Sequence, residues 1–348
     1  MRHNLDTGWF DQRRADWGAI EVPMLTAGNW SGMGLHLRGN TEGYTRAASR
    51  HKKLRIHAGT HYHPFYSEDG RRDQLRFFDY WLKGEKNGVM DEPPVKLLIR
   101  RGGQGNHEWR SEREWPLKRT RWTRFYLSPS RVAVKNREPA EGLLVTAAPK
   151  SKGAVTYSAT GMSKAGIASA SWTSTVLPGS LPRLGISFET GPLKEDLELT
   201  GPVVLTLWVS STTEDLDLFA TLRNIDREGR DVWEVGQQQQ NVPVAKGWLR
   251  ASHRGLDREL TRPHRPYHAH DRRLWLKKSE PVRVDVEIWP TCMVFRKGHR
   301  IRLDIQPRDG AGSAPYTHYS ADYNTGDNTI FTGGSMASHL LLPVIPGK

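Results

Sequence analysis

The run LRIHAGTHYHPFYSEDGRRDQLRFFDYWLKGEKNGVMDEPPV, residues 54–95, decides how the chain is read. It opens on a short apolar segment, 54–58, of the kind that forms a strand covered on both faces. A histidine-rich loop follows, with His57, His61 and His63 in or beside it. Residues 73–83 then repeat apolar side chains at helical spacing. Leu75, Phe78 and Leu82 fall at i, i+3 and i+7, and Phe77 and Trp81 widen the stripe. Gly84 is placed to cap this helix, Asn87-Gly88 marks a turn, and Pro93-Pro94 stops any further helix. The pattern predicts a strand, a loop, an amphipathic helix and a Pro-terminated exit.

Upstream, residues 22–27 (VPMLTA) are a second short apolar run, ending in the turn Gly28-Asn29-Trp30-Ser31-Gly32-Met33-Gly34. Residues 35–49 read as a helix. Two such strands joined through a helix form a parallel pair with a right-handed crossover. Beyond residue 95 short β-rich segments recur between Gly, Pro, Asp and Asn: 95–100, 121–127, 142–147, 203–211, 217–225, 282–288, 300–305 and 339–344. Val203-Leu205-Leu207-Val209 and Val282-Val284-Val286-Ile288 alternate with period two, which predicts antiparallel sheets with one buried face. Residues 153–177, rich in Ser, Ala, Thr and Gly, read as a long loop. The expected fold class is α/β plus all-β, with an α/β part over 1–92 and a β-sandwich over 95–348.

Composition narrows the function classes. The 348 residues carry 13 Trp, enough large apolar groups for a real core, so a disordered reading fails. The net charge of +13 is spread in short groups, such as Arg50-His51-Lys52-Lys53 and Arg272-Arg273, with no nucleic-acid motif beside them. A scattered basic surface is expected, and no nucleic-acid partner. Cys292 is the sole cysteine, which excludes an internal disulfide and a Cys-based metal site. The N-terminal residues have no apolar core segment of a signal peptide, and no run is long enough to span a bilayer. No membrane partner and a cytoplasmic location are the expectations.

Two parallel strands each followed by a loop suit the end of an α/β sheet where an acid and a histidine are presented to a nucleophilic serine. His61 is the candidate catalytic residue. A metal reading of His57, His61 and His63 lacks the helical His and carboxylate spacing such sites use, so no metal is expected. No G-x-S-x-G elbow is present. Gly333-Gly334-Ser335-Met336-Ala337 comes nearest, but it precedes a strand, follows the histidine in the chain, and reads as a strand-edge turn. Ser31 lies in the first loop without an elbow. Arg250-Ala251-Ser252-His253-Arg254 is the most polar cluster of the β-rich part and reads either as an interface patch or as a buried turn.

The chain resembles the C-terminal portion of the cocaine-esterase-like and X-Pro dipeptidyl-peptidase-like (peptidase S15, CocE/NonD) serine hydrolases. The resemblance is carried by Leu199-Thr200-Gly201-Pro202, Leu207-Trp208-Val209-Ser210-Ser211, Asp215-Leu216-Asp217-Leu218-Phe219, Gly247-Trp248-Leu249-Arg250, Ile288-Trp289-Pro290-Thr291 and Phe295-Arg296-Lys297-Gly298-His299-Arg300. In the first third it is carried by Phe77-Phe78-Asp79-Tyr80-Trp81-Leu82-Lys83-Gly84 with Pro93-Pro94-Val95. It implies that residues 1–92 are the C-terminal part of an α/β-hydrolase domain and that the β-rich part is a jelly-roll sandwich, with Trp208 and Trp289 in its core. It also implies cofactor-free, serine-type hydrolysis of an ester or peptide acyl bond, with His61 as general base. The family's acid, in a Gly-Trp-x-Asp context, corresponds to Gly32, with Glu42, Glu68 and Asp69 as nearby substitutes. The nucleophile segment would precede Met1. The chain is therefore expected to be a fragment or split half, inactive alone, that takes a small ester or peptide substrate once completed. Its open sheet edge favours a homo-oligomer. The alternative is a non-catalytic binding or interaction module.

Overall fold

A computed structural model of the chain describes residues 4–129, 140, 142–159, 185–309 and 324–347. The first part builds a four-stranded sheet. After a short helix α1 (Gly8–Asp11), strand β1 (Met24–Asn29) leads through α2 (Leu37–Arg46) to β2 (Lys52–His57). The chain then passes α3 (Tyr62–Tyr66) and α4 (Glu68–Lys83) to reach β3 (Val95–Arg100) and β4 (His107–Glu112). The order is β1-β2-β3-β4, with β1, β2 and β3 parallel and β4 antiparallel. The parallel pair expected from the two apolar runs is present. Residues 95–100, assigned from sequence to the β-rich part, instead form an inner strand of this first sheet, between β2 and β4. Val95 and Leu97 are fully buried beside Leu54 and Ile56, and that shared apolar layer holds β3 there.

Helix α4 starts earlier than its apolar stripe. Ser67 caps it, its hydroxyl accepting the Gly70 N–H at 3.1 Å. Gly84 ends it in the left-handed conformation, φ 74°. The expected core stripe faces the other way: Leu75, Phe78 and Leu82 are 58%, 53% and 78% exposed, and Phe77, at 4%, is the large side chain that goes inside. The helix is held to the sheet by Phe77, by the Arg55–Asp73 ion pair and by Trp81, whose ring meets that of His51 at a tilt of 49° with centroids 4.7 Å apart.

The remaining strands are β5 (Arg121–Ser128), β6 (Gly142–Val145), β7 (Gly153–Ser158), β8 (Ile186–Glu189), β9 (Leu197–Ser211), β10 (Asp217–Ile225), β11 (Glu234–Val235), β12 (Asn241–Val242), β13 (Ala245–Arg250), β14 (Val282–Phe295), β15 (Arg300–Gln306), β16 (Asp327–Thr332) and β17 (His339–Ile345). Their ladder runs β14-β13-β10-β15-β8-β6-β5-β17-β9 and returns from β9 to β14, closing a ring of nine strands. Beyond it β16 pairs with β9, and β7 with β16. The expected loop over 153–177 therefore begins with strand β7, and its residues 160–177 lie outside the described residues. The ring encloses a core that includes Leu127, Phe188, Leu205, Leu207, Val286, Phe295, Leu303 and Leu342. Burying each such side chain contributes about 1.5–3 kcal/mol. Trp208 and Trp289 are half-buried rather than in that core.

Strand β14 joins the two parts. Its register with β9 shifts between Ile288 and Thr291. After the shift, alternate side chains serve two cores: Met293 and Phe295 point into the ring, Cys292 and Val294 pack with Trp30, Leu54, Ile56 and Val95. Arg100, fully buried at the end of β3, fastens the join. Its Nε donates to the Cys292 carbonyl at 2.8 Å, and its Nη2 to the Val244 carbonyl at 2.9 Å and Thr291 Oγ1 at 2.6 Å. Arg110 of β4 adds a two-pronged pair to Glu198 of β9, at 2.7 and 2.6 Å.

Candidate functional site

The loops that follow β1 and β2 meet at the carboxyl ends of the parallel strands, where open α/β sheets place ligand chemistry. His61 lies in the second loop, four residues past the end of β2. The β1 ladder runs on through Gly28, opposite Ile56, to Asn29, opposite His57. This register aims the Asn29 side chain at His61, with Nδ2 3.2 Å from His61 Nδ1. The amide is held at both ends: its Nδ2 also donates to the Gly59 carbonyl at 2.8 Å, and its Oδ1 accepts the Ser31 N–H at 2.9 Å.

Gly32 does lie against the imidazole, and a side chain there would be tightly packed. A Cβ there would sit 3.1 Å from His61 Cε1 and 3.3 Å from Gln237 Oε1. The residue that meets Nδ1 is Asn29, and Gly32 lines the ring's edge. None of the three substitute acids is paired with His61. Glu42 is engaged by Arg265 and Arg46, Asp69 by Arg72, and Glu68 is exposed on the first turn of α4. Among the described residues, no carboxylate is hydrogen-bonded to His61.

The other histidines diverge. His57 is buried with Nδ1 3.2 Å from the Ala58 carbonyl, and burial pushes its pKa down to about 4. His63 is exposed on α3. His36, at the start of α2, stacks on His61 with centroids 5.5 Å apart and an interplanar angle of 17°. Burial lowers the His61 pKa below the ordinary imidazole range, and the nearby His36 acts in the same direction. Among the described residues no three His, Cys, Asp or Glu side chains are grouped as a metal ion would need.

The ring contributes to the site through the hairpin of β11 and β12. Its tip carries Gln237, Gln238, Gln239 and Gln240. The Gln237 carbonyl accepts the His61 N–H at 3.2 Å, and its side chain is 4% exposed with Oε1 unpartnered. His61 Nε2 is likewise buried without a partner. Beside them opens a pocket of about 510 Å³, lined by Thr60, Tyr62, His63, Tyr66 and Gln237 to Gln239. Neither Asn29 nor Gln237 emerges from the sequence reading. The run of four glutamines was the available signal for the second.

The remaining candidates are structural. Ser31 is fully buried, its Oγ accepting the Gly59 N–H at 3.3 Å. Ser335 is exposed in a 3₁₀ turn, Gly334–Met336, between β16 and β17. The cluster at 250–254 forms a buried turn: Asp215 accepts the Ser252 N–H and hydroxyl at 2.8 and 2.6 Å, and Arg250 pairs with Asp217 at 2.7 and 2.8 Å.

A closed β ring, joined to a parallel sheet that presents a histidine loop, is the class these features define. Residues 87–341 match the family described as the X-Pro dipeptidyl-peptidase C-terminal non-catalytic domain, and the chain belongs to that family. A CocE/NonD family hydrolase from Staphylococcus aureus has a similar structure, with a TM-score of 0.84 and 29% identity, over 99% of this chain and 58% of that one. The cocaine esterase of a Rhodococcus species is 26% identical over 295 residues, covering 77% of this chain and 45% of the esterase. A Mycobacterium bovis protein named as a serine esterase is 29% identical over 304 residues, covering 81% of this chain and 42% of that protein. The chain thus spans less than half the length of these two relatives. No helix among the described residues is long and apolar enough to cross a membrane.

Proposed function

We propose that the chain supplies the histidine end of an α/β-hydrolase sheet, together with its jelly-roll β domain, to a CocE/NonD-type serine hydrolase of ester or peptide acyl bonds. The observation that carries this reading is the position of His61. It stands in the loop after β2, at the carboxyl end of a parallel sheet, in a chain of this family. A serine supplied from outside the 348 residues would face the imidazole, which takes the hydroxyl proton and returns it to the leaving group. The substrate is a small ester or peptide, and no cofactor enters the chemistry.

Alone, the chain is expected to hydrolyse p-nitrophenyl esters no faster than buffer and to leave a fluorophosphonate probe unbound. Co-expressed with a nucleophile-bearing hydrolase half, it is expected to give hydrolysis that His61→Ala removes. Robust serine-inhibitor-sensitive turnover by the chain alone, or activity that survives His61→Ala, would overturn the reading. A second reading, a binding or interaction module built on the β domain, is favoured by one observation: Asn29 and Gly32 stand beside His61 where a carboxylate is needed. Absence of hydrolysis in every such pairing would support it.

A further inference from the structure

We infer that Asn29 is a positioning residue that holds His61 as the Nε2–H tautomer, so that the ring presents a proton at Nε2 rather than a lone pair. Only the catalytic consequence of this rests on the proposed function; the tautomer is a property of the chain itself.

Two backbone groups fix the direction of the Asn29 amide. The Ser31 N–H can only donate, so the atom 2.9 Å from it is the amide oxygen. The Gly59 carbonyl can only accept, so the atom 2.8 Å from it is the amide nitrogen. Turning the amide over would set N–H against N–H and oxygen against oxygen. The NH₂ group therefore faces His61, and at 3.2 Å its second proton goes to Nδ1. An imidazole nitrogen that accepts carries no proton, so the neutral ring holds its proton on Nε2. Protonation at Nδ1 would place two donors face to face. The stacked His36 and the burial of the ring oppose the doubly protonated form as well.

The Nε2–H so created is buried and unpartnered. The Gln237 amide oxygen is a buried acceptor, also unpartnered. Gly32 packs between the two: a Cβ on it would sit 3.1 Å from His61 Cε1, 3.2 Å from the Asn29 carbonyl oxygen and 3.3 Å from Gln237 Oε1. A serine hydroxyl meets a base only in the minor Nδ1–H form of the ring, so the proposed hydrolysis runs slowly in the native chain. In a Ser-His-Asp triad, exchanging the carboxylate for an amide selects the same tautomer and lowers turnover by about 10⁴.

The test is ¹⁵N NMR of the imidazole nitrogens in the full chain at pH 7.5, with His61 assigned from the signals lost in His61→Ala. The expected spectrum has a bare, pyridine-like Nδ1 and a proton-bearing Nε2. A proton on Nδ1 in the native chain overturns the inference. Asn29→Asp should move the proton to Nδ1 and raise the His61 pKa by roughly one to three units. Should that variant fail to fold, Asn29→Ala should replace the single tautomer by a mixture, and an unchanged tautomer overturns the inference. With a nucleophile-bearing half present, Asn29→Asp should raise hydrolysis by up to about 10⁴-fold. The expected tautomers without that gain would uphold the inference and defeat the hydrolase reading. Full activity with Nδ1–H in the native chain would do the reverse.

Discussion

Two buried histidines show how burial, with nearby basic groups acting in the same direction, sets protonation. His57 and His268 are both buried, and burial brings each pKa down to about 4. Unfolded, each would titrate near its ordinary value of about 6.5. Between those limits the unfolded chain binds more protons, so stability is complete above about pH 6.5 and is lost as pH falls toward 4. The loss from each is on the order of 3 kcal/mol. Urea unfolding at pH 7.5 and 4.5 should therefore show a smaller pH effect in a His57→Asn, His268→Asn double variant than in the native chain. Equal pH effects would remove these residues from the account. At this scale the sequence makes His61 visible and hides Asn29. The apolar run ends at Ala27, so the strand reads as ending there and Asn29 reads as turn. Backbone ladder bonds do not depend on side-chain polarity, and they carry the strand two residues further.

Helix α4 is the element on which sequence periodicity and structure part company. Period 3.6 says which residues share a face, and it does not say which face has a partner. Leu75, Phe78 and Leu82 share one, and it is exposed; Phe77 lies on the face that meets the sheet. Adjacent phenylalanines should thus behave differently. Phe77→Ala is expected to cost about 3–5 kcal/mol, and Phe78→Ala less than about 0.5 kcal/mol. Denaturant midpoints of the two variants check this, and equal losses would put the expected stripe back in the core. The strands of the β-rich part were largely legible, because alternation is a local signal. Their arrangement was not. The return of β9 to β14 and the parallel pairing of β6 with β8 join segments tens of residues apart, and no local pattern specifies such partners.

For the whole molecule, the open β1 edge and the exposed face of α4 make the four-stranded sheet the less protected part. Limited proteolysis is expected to cut first before residue 95, and a first cut within the ring would contradict that. Arg100 is the residue most able to change how the two parts unfold. Its removal takes the buried guanidinium donor from the Cys292 carbonyl and leaves the Val244 carbonyl to the Thr291 hydroxyl, 2.9 Å away. Arg100→Ala is expected to cost roughly 3–5 kcal/mol and to split one unfolding transition into two. A single transition at the native midpoint would show the join is held by packing alone.

The double duty of β14 bears on motion. Swinging the sheet away from the ring would draw Cys292 and Val294 out of one core while Met293 and Phe295 stayed anchored in the other. A strand embedded on both sides leaves no compliant line along which the two parts could rotate. The two parts are therefore expected to move there as a single stiff frame. Any opening around His61 falls to the short segments at the rim, the turn at 59–61 and the glutamine tip of the β11–β12 hairpin, which can shift without disturbing either core.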